Sequence, residues 1–218
     1  MKAAMLLSGC GVFDGSEVHE ATILLLVLKQ LGVKVDFFSL DRNSEEVVSH
    51  ATRGKLPEKR NMMEMSGRIA RGKISAMQQL KAGDYDLLAI PGGFGAASNF
   101  SDFAKKGADC SVDPEVARVI NEFHHAKKVI VALCIAPMIV AKALQGKSVQ
   151  MTVGDQIDDL KVLASMGCDA VSCKADEACY DPVNRIYTVP AYMASKGDPV
   201  TIFNSLQQLR EVLHATSC

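Results

Sequence analysis

The sequence predicts a single doubly wound α/β domain, a mostly parallel sheet with helices on both faces. Three observations carry this. Short apolar runs alternate along the chain with segments whose apolar residues recur every three to four positions. The opening reads strand, helix, strand, which implies a parallel pair and a right-handed crossover. No internal repeat or low-complexity linker divides the 218 residues, so residues 1–218 are expected to form one unit.

The elements follow in order. Ala3 to Leu7 is the first buried strand. Ser8 to Gly15 is turn chemistry, and Ser16 is expected to cap a helix whose stripe is Ile23, Leu24, Val27, Leu28 and Leu31, ended by Gly32. Val33 to Leu40 is the second strand. Glu45 to His50 is expected as a short helix, Arg53 to Arg60 as a loop and Ser75 to Leu80 as another helix. Leu87 to Ile90 is a central strand running into Pro91-Gly92-Gly93-Phe94-Gly95. Asp113 caps a helix to His125, with Pro114 at its first position. Lys128 to Leu133 is a buried strand, Cys134 follows it, and Met138 to Leu144 is helical. Val149 to Val153 is a strand and Ile157 to Met166 a helix. Ala170 to Cys173, Ala178 to Asp181 and Arg185 to Val189 are short strands. Val200 to Leu213 is one closing amphipathic helix.

Composition narrows the function. The net charge is -1, aromatics are 6% and Trp is absent, so nothing favours phosphate neutralisation or base stacking, and no nucleic-acid partner is expected. The longest apolar run, Val129 to Ala141, contains Pro137 and is shorter than the roughly 18–20 residues of a membrane span, so no membrane partner is expected. Met1-Lys2 leads directly into a strand, so no signal peptide is expected. The seven cysteines are odd in number and scattered, which points to a reducing compartment. The expected location is the cytoplasm, with the mitochondrial matrix as the alternative for a mature form. Cys168, Cys173 and Cys179 lack the short C-x2-C spacing of a zinc site, so no metal and no cofactor are expected. The basic residues Arg53, Lys55, Lys59, Arg60, Arg68, Arg71 and Lys73 read as a solvated surface ahead of an anion site.

In open α/β sheets ligands bind beyond the carboxyl ends of the strands. Three strand ends compete for that role: residues 8–20, residues 91–95 and Cys134. They meet if their strands are neighbours. A cysteine between a strand and a helix lies under the partial positive charge of the helix N-terminus, where a thiolate is favoured. The bland alternative is a buried structural cysteine. Gly92 and Gly93 allow close backbone approach, and their N–H groups, with that of Ile135, can face a developing oxyanion. A nucleophilic thiol also needs a proton acceptor. His124 and His125 end a helix that feeds the Cys134 strand, which places them at the far end. His50 is expected on a surface helix and His214 in the last helix. His19, Glu17 and Glu20 begin the first helix on the same side as Cys134. For the two glutamates, ordinary first-turn acid placement is the competing explanation.

The ordered motifs S-G-C-G-V-F-D-G-S-E-V-H-E, R-N-M-M-E-M-S-G-R-I-A-R-G-K-I, P-G-G-F-G-A-A-S-N-F, C-I-A-P-M and T-V-P-A-Y-M resemble the ElbB family, isoprenoid-biosynthesis proteins with an amidotransferase-like domain. That family lies in the PfpI-type superfamily of flavodoxin-like cysteine proteins, related to class I glutamine amidotransferases. The resemblance implies a flavodoxin-like fold, Cys134 as elbow nucleophile and a glutamate contacting the thiol. It selects Glu20, because Glu20 to Gly32 is 32 − 20 = 12 positions, the spacing expected in the superfamily. It implies an oxyanion pocket from Gly92, Gly93 and the N–H of Ile135, with Phe94 beside them as a binding position. It also implies a homodimer and weak glutathione-independent glyoxalase activity.

Two departures bear on the chemistry. PfpI-type proteases carry His directly after the cysteine, where this chain has Ile135. Class I amidotransferases use a downstream His-x-Glu, and none follows Cys134. The expected function is therefore a cofactor-independent conversion of small 2-oxoaldehydes to 2-hydroxy acids through a Cys134 hemithioacetal, with Glu20 and His19 moving protons. The alternative is a redox-sensing or regulatory protein with an oxidisable Cys134, linked to isoprenoid metabolism. A hydrolase of amides or esters is a third reading, disfavoured by the missing histidine.

Overall fold

The computed structural model describes residues 1–215; Cys218 lies outside the described residues. In chain order, β1 (Lys2–Leu6), α1 (Val18–Gln30) and β2 (Lys34–Ser39) form the opening unit. The hairpin β3 (Val47–Val48) and β4 (Lys55–Leu56) precedes α2 (Met62–Ile69) and β5 (Ile74–Ala76). Then come β6 (Leu87–Ile90), α3 (Phe94–Ser98), α4 (Phe103–Lys106), α5 (Pro114–His125), β7 (Val129–Leu133) and α6 (Ala136–Ala143). The rest is β8 (Gln150–Gly154), α7 (Ile157–Ser165), β9 (Asp169–Ser172), β10 (Cys179–Asp181), β11 (Ile186–Val189), α8 (Pro199–Gln207) and α9 (Leu209–Ala215).

The main sheet has the order β10-β11-β7-β6-β1-β2-β5. All its pairs are parallel except β10 with β11. Strands buried on both faces read as continuous apolar runs, and β7 is buried throughout. Ile130 and Ala132 face one core with Val116, Ile120 and Phe123 of α5 and Met138 of α6. Val129, Val131 and Leu133 face the other with Leu24 and Leu28 of α1 and Ile202 and Leu206 of α8. Helices thus cover both faces, as a doubly wound α/β domain requires. Burying each such Leu or Ile stabilises by about 1.5–3 kcal/mol.

Several expectations need correction. Residues 45–50 are not helical: Val47 and Val48 pair with Leu56 and Lys55, because two β-branched residues face a turn closed by Ser49 N–H to Gly54 O at 2.9 Å. Residues 74–76 pair with β2 as an edge strand, and only 77–79 form a 3₁₀ turn. The closing helix is two helices, broken where Glu211 N–H reaches back only three residues to Gln208. Ser16 does not cap α1. Its hydroxyl accepts from Ser8 N–H at 2.9 Å, and Glu17 is the cap. β8 and β9 form their own parallel pair. β8 is tied to the main sheet through side chains: Thr152 N–H donates to Thr188 Oγ1 and Gln150 N–H to Asp181 Oδ2. The helix α2 carries a signal that the apolar periodicity passed over, an Asn61 cap that accepts from Glu64 N–H at 3.0 Å. His50 lies in the hairpin turn and not on a helix.

The order β7-β6-β1 makes the three candidate strand ends neighbours. The chain runs outward from β1 to β2 and, on the other side, from β6 to β7. The site side of the sheet is thus its topological switch point.

Candidate active site

Cys134 follows the last residue of β7 and is separated from α6 by Ile135 alone. Its φ is +59°, a left-handed conformation that costs a non-glycine residue about 1–2 kcal/mol. The bend is held because Cys134 N–H donates to Val189 O of β11 at 2.9 Å. The residue is 9% exposed, and its thiol is desolvated by burial. The N–H groups of Ile135 and Gly93 face it and favour its anion.

Glu20, in the first turn of α1, is fully buried. Its Oε2 accepts from Gly92 N–H at 2.8 Å. Its Oε1 has no hydrogen-bond partner of ordinary geometry, while the carboxyl and the Cys134 thiol act on each other's acidity. Glu17 supports it twice over. Glu17 Oε2 accepts from Glu20 N–H at 2.7 Å, and Glu17 N–H donates to Gly92 O at 3.0 Å. Burial, and then the Glu17 charge, raise the Glu20 carboxyl from 4.5 to about 8 against the opposing pull of the thiol and of the Gly92 and Tyr192 N–H groups.

The loop after β6 requires its glycines. A Cβ on Gly92 would lie 2.6 Å from Cys134 Cβ and 2.8 Å from Glu20 Oε2. Gly93 has φ +98°, and a Cβ there would meet Gly15 O at 2.3 Å. Phe94 begins α3, donates its N–H to Val12 O at 2.8 Å and exposes its ring. The three loops therefore interlock, and Cys134, Glu20, Gly92, Gly93 and Ile135 come together. Gly92 differs from its expected part: its N–H is engaged by Glu20, which leaves Gly93 and Ile135 as the donors that face the sulfur.

His19 is one residue from Glu20, yet its ring lies on the rim. Its Nδ1 is 2.6 Å from Tyr192 Oη. Tyr192 is a residue that sequence reasoning did not single out. It sits in a 3₁₀ turn just after β11, and its own N–H is aimed at Glu20. Its one sequence signal is the T-V-P-A-Y-M motif. His124 lies at the far end of β7, with Nε2 3.0 Å from Asn184 Oδ1. Among the described residues no three His, Cys, Asp or Glu side chains are grouped to hold a metal ion.

One expectation about the thiol fails. Position under a helix N-terminus suggests an ionised cysteine. Burial first, and the Glu20 carboxyl second, hold Cys134 well above its ordinary range instead. The resting site is a protonated thiol beside a carboxyl that titrates close to neutral pH. Such a carboxyl is well matched to taking a proton from sulfur and returning it to an oxygen or carbon.

Residues 10–177 match the DJ-1/PfpI family. The chain belongs to that family. This DJ-1/PfpI chain is 42% identical over 203 residues, 88% of its own length and 75% of the other's, to the rat "ES1 protein homolog, mitochondrial". It is 41% identical, over the same shares, to the human "glutamine amidotransferase-like class 1 domain-containing protein 3, mitochondrial". Among solved structures it superposes with a TM-score of 0.91 and 32% identity on an isoprenoid biosynthesis protein with amidotransferase-like domain from Ehrlichia chaffeensis, covering 99% of this chain and 100% of that one. Drosophila melanogaster DJ-1beta shares the fold at 18% identity, with a TM-score of 0.57 and coverage of 99% and 95%. Among the described residues no helix is long and apolar enough to cross a membrane.

Proposed function

We propose that this DJ-1/PfpI protein is a cofactor-independent glyoxalase-type enzyme that converts small 2-oxoaldehydes, such as glyoxal, to 2-hydroxy acids. The observation that carries the reading is the pairing of Cys134 with a buried Glu20 carboxyl raised to about 8, with isoleucine and not histidine next to the thiol. Amide hydrolysis needs a group that protonates a leaving amine. Aldehyde chemistry needs only a proton shuttle.

In its ionised fraction the Glu20 carboxyl takes the thiol proton, and sulfur adds to the aldehyde carbon. The Gly93 and Ile135 N–H groups face the sulfur and are placed to receive the oxygen that develops negative charge. The proton returns to that oxygen, giving a hemithioacetal. Glu20 then removes the hydrogen on the sulfur-bearing carbon to give an enediol; the neighbouring carbon takes that proton back, its oxygen gains the proton that the hemithioacetal hydroxyl gives up, and the product is a thioester of the 2-hydroxy acid. Water hydrolyses the thioester, releasing the hydroxy acid and the free thiol. One carbon is oxidised and its neighbour reduced, so no outside oxidant is needed. His19, whose Nδ1 lies 2.6 Å from Tyr192 Oη, takes no proton in this sequence of steps.

We further place the chain in the ElbB-type branch, a reading supported by its likeness to the Ehrlichia chaffeensis protein. Mitochondrial relatives favour the mitochondrial matrix over the cytoplasm as its location. A homodimer acting on a small carbonyl substrate completes the proposal. The test is to incubate wild type, Cys134→Ser and Glu20→Gln with glyoxal and methylglyoxal and to follow the hydroxy acid. Product from wild type alone is expected. No wild-type product, with Cys134 selectively oxidised by dilute peroxide, would overturn the enzyme in favour of a redox sensor.

A further inference from the structure

We propose that Tyr192, oriented by His19, selects carbonyl substrates that carry a second oxygen on the neighbouring carbon. The inference rests on the thiol–carbonyl reading above and adds the residue that would tell a 2-oxoaldehyde from a simple aldehyde.

The argument is a count of donors. A 2-oxoaldehyde brings two oxygens to the sulfur. Gly93 and Ile135 N–H serve the one that becomes an oxyanion. Gly92 N–H is occupied by Glu20 Oε2, and Glu20 N–H by Glu17 Oε2. Glu20 itself must move a proton and cannot also hold a fixed hydrogen bond to the second oxygen. In a site whose nucleophile is 9% exposed, an oxygen left without a donor weakens binding. We assign that need to the Tyr192 hydroxyl, which His19 Nδ1 holds at 2.6 Å.

Tyr192 is anchored from both sides. Three residues earlier, Val189 O accepts the Cys134 N–H. Three residues later, Ser195 is fixed by Asp155, which accepts its N–H at 3.0 Å and its hydroxyl at 2.5 Å. Between them Ala191 adopts φ +50°, and Gly197 packs so closely under it that a Cβ would lie 2.2 Å from Ala191 O. The Tyr192 N–H is thereby aimed at Glu20. The phenol oxygen is held 2.6 Å from His19 Nδ1 on the rim. With the hydrogen of His19 on Nδ1, the imidazole donates to the phenol oxygen and frees the phenol hydrogen for a ligand. Burial first, and then the carboxyls of Glu17 and Glu20, raise this phenol above its ordinary range, in keeping with a place at the mouth of the site.

The test follows protection of Cys134 from iodoacetamide by carbonyl compounds, read by mass spectrometry, with methylglyoxal and propanal as probes. Wild type is expected to be protected by methylglyoxal at much lower concentration than by propanal. Tyr192→Phe keeps the ring, and should weaken methylglyoxal protection about tenfold while leaving propanal unchanged, the loss of one directed hydrogen bond. His19→Ala should weaken methylglyoxal protection by a smaller factor, because the phenol stays but loses its orientation. Equal changes for both probes, or none for methylglyoxal, would overturn the role of Tyr192 while leaving the thiol reading intact. No protection of wild type by either probe would overturn both.

Discussion

Replacing Glu20 by glutamine should make the protein more stable at neutral pH, and by an amount that depends on pH. Glu20 is fully buried and its carboxyl is raised from 4.5 to about 8. The folded state therefore binds a proton that the unfolded state releases between these two values. A group raised in this way contributes stability that is fully present below about 4.5 and is lost as pH rises toward about 8. Within that window the folding equilibrium weakens about tenfold per pH unit from this one residue. From pH 4.5 to pH 7 the accumulated loss is on the order of 3 kcal/mol at most, given the shift from 4.5 to about 8. Glutamine keeps an oxygen for Gly92 N–H but does not titrate. Its extra N–H group faces the side where Oε1 has no partner, which returns roughly 1 kcal/mol of the gain.

The measurement is thermal or urea unfolding of wild type and Glu20→Gln across pH 5 to 8. The two should be close at pH 5 and separate steadily toward pH 8, with glutamine ahead by roughly 2 kcal/mol near neutrality, or about 4–8 °C in Tm for a chain of this size. Parallel curves, with a constant offset at every pH, would refute a raised Glu20 carboxyl and with it the proton shuttle built on it. An accompanying loss of activity would identify the residue as one whose burial is kept for function at the expense of stability.

Three further outcomes are expected. Gly92→Ala, whose Cβ would lie 2.6 Å from Cys134 Cβ and 2.9 Å from Leu133 O, should abolish methylglyoxal protection of Cys134 and lower stability by several kcal/mol; retained protection would show that the loop can shift. In alkylation at pH 8 Cys179, raised by burial to about 12, and Cys168, raised to about 11, should react at least tenfold more slowly than the half-buried Cys10; equal rates would mean that β9 and β10 open readily. Asp181→Ala should destabilise by about 2–4 kcal/mol, because Asp181 accepts from the N–H groups of Gln150, Val183 and Asn184 and from Asn184 Nδ2. Burial pushes the Asp181 carboxyl up, but these donors outweigh it and leave it below its ordinary value. Its contribution is present above the unfolded carboxyl pKa and is lost as pH falls. The variant's deficit relative to wild type should therefore shrink in strong acid, as followed by urea unfolding.

The sequence carried the central strands because their signal is long and repeated: Leu87 to Ile90 and Val129 to Leu133 are apolar on both faces. It missed β3 and β4 because two residues show no periodicity, and their pairing is set across a turn. Cys134 was legible from a strand that becomes a helix at one residue. Its protonation was not, since the helix terminus is written locally while burial and the Glu20 neighbour come from distant chain. The choice between Glu17 and Glu20 could not be made from physical chemistry alone because both belong at the site: one caps the helix and holds the other's N–H. Tyr192 lies on a segment brought beside Cys134 by the β11–β7 pair, so apart from the T-V-P-A-Y-M motif no local pattern reports it.

The missing histidine gains meaning from this arrangement. In a thiol protease or glutaminase one imidazole takes the proton from the sulfur and then delivers it to the leaving nitrogen. Here Ile135 contributes only its N–H to the sulfur, and His19 is turned to the rim and engaged with Tyr192. One carboxyl is left to handle every proton near the nucleophile, and its pKa of about 8 lets it act as acid and base at nearly the same pH. A single two-way shuttle suits a reaction in which one proton leaves a carbon and returns to its neighbour. Cleaving an amide also needs the proton carried from the sulfur to a leaving nitrogen, the task that the missing imidazole performs in thiol proteases. On these grounds the isomerisation of a thiol-bound dicarbonyl fits this site better than the cleavage of an amide.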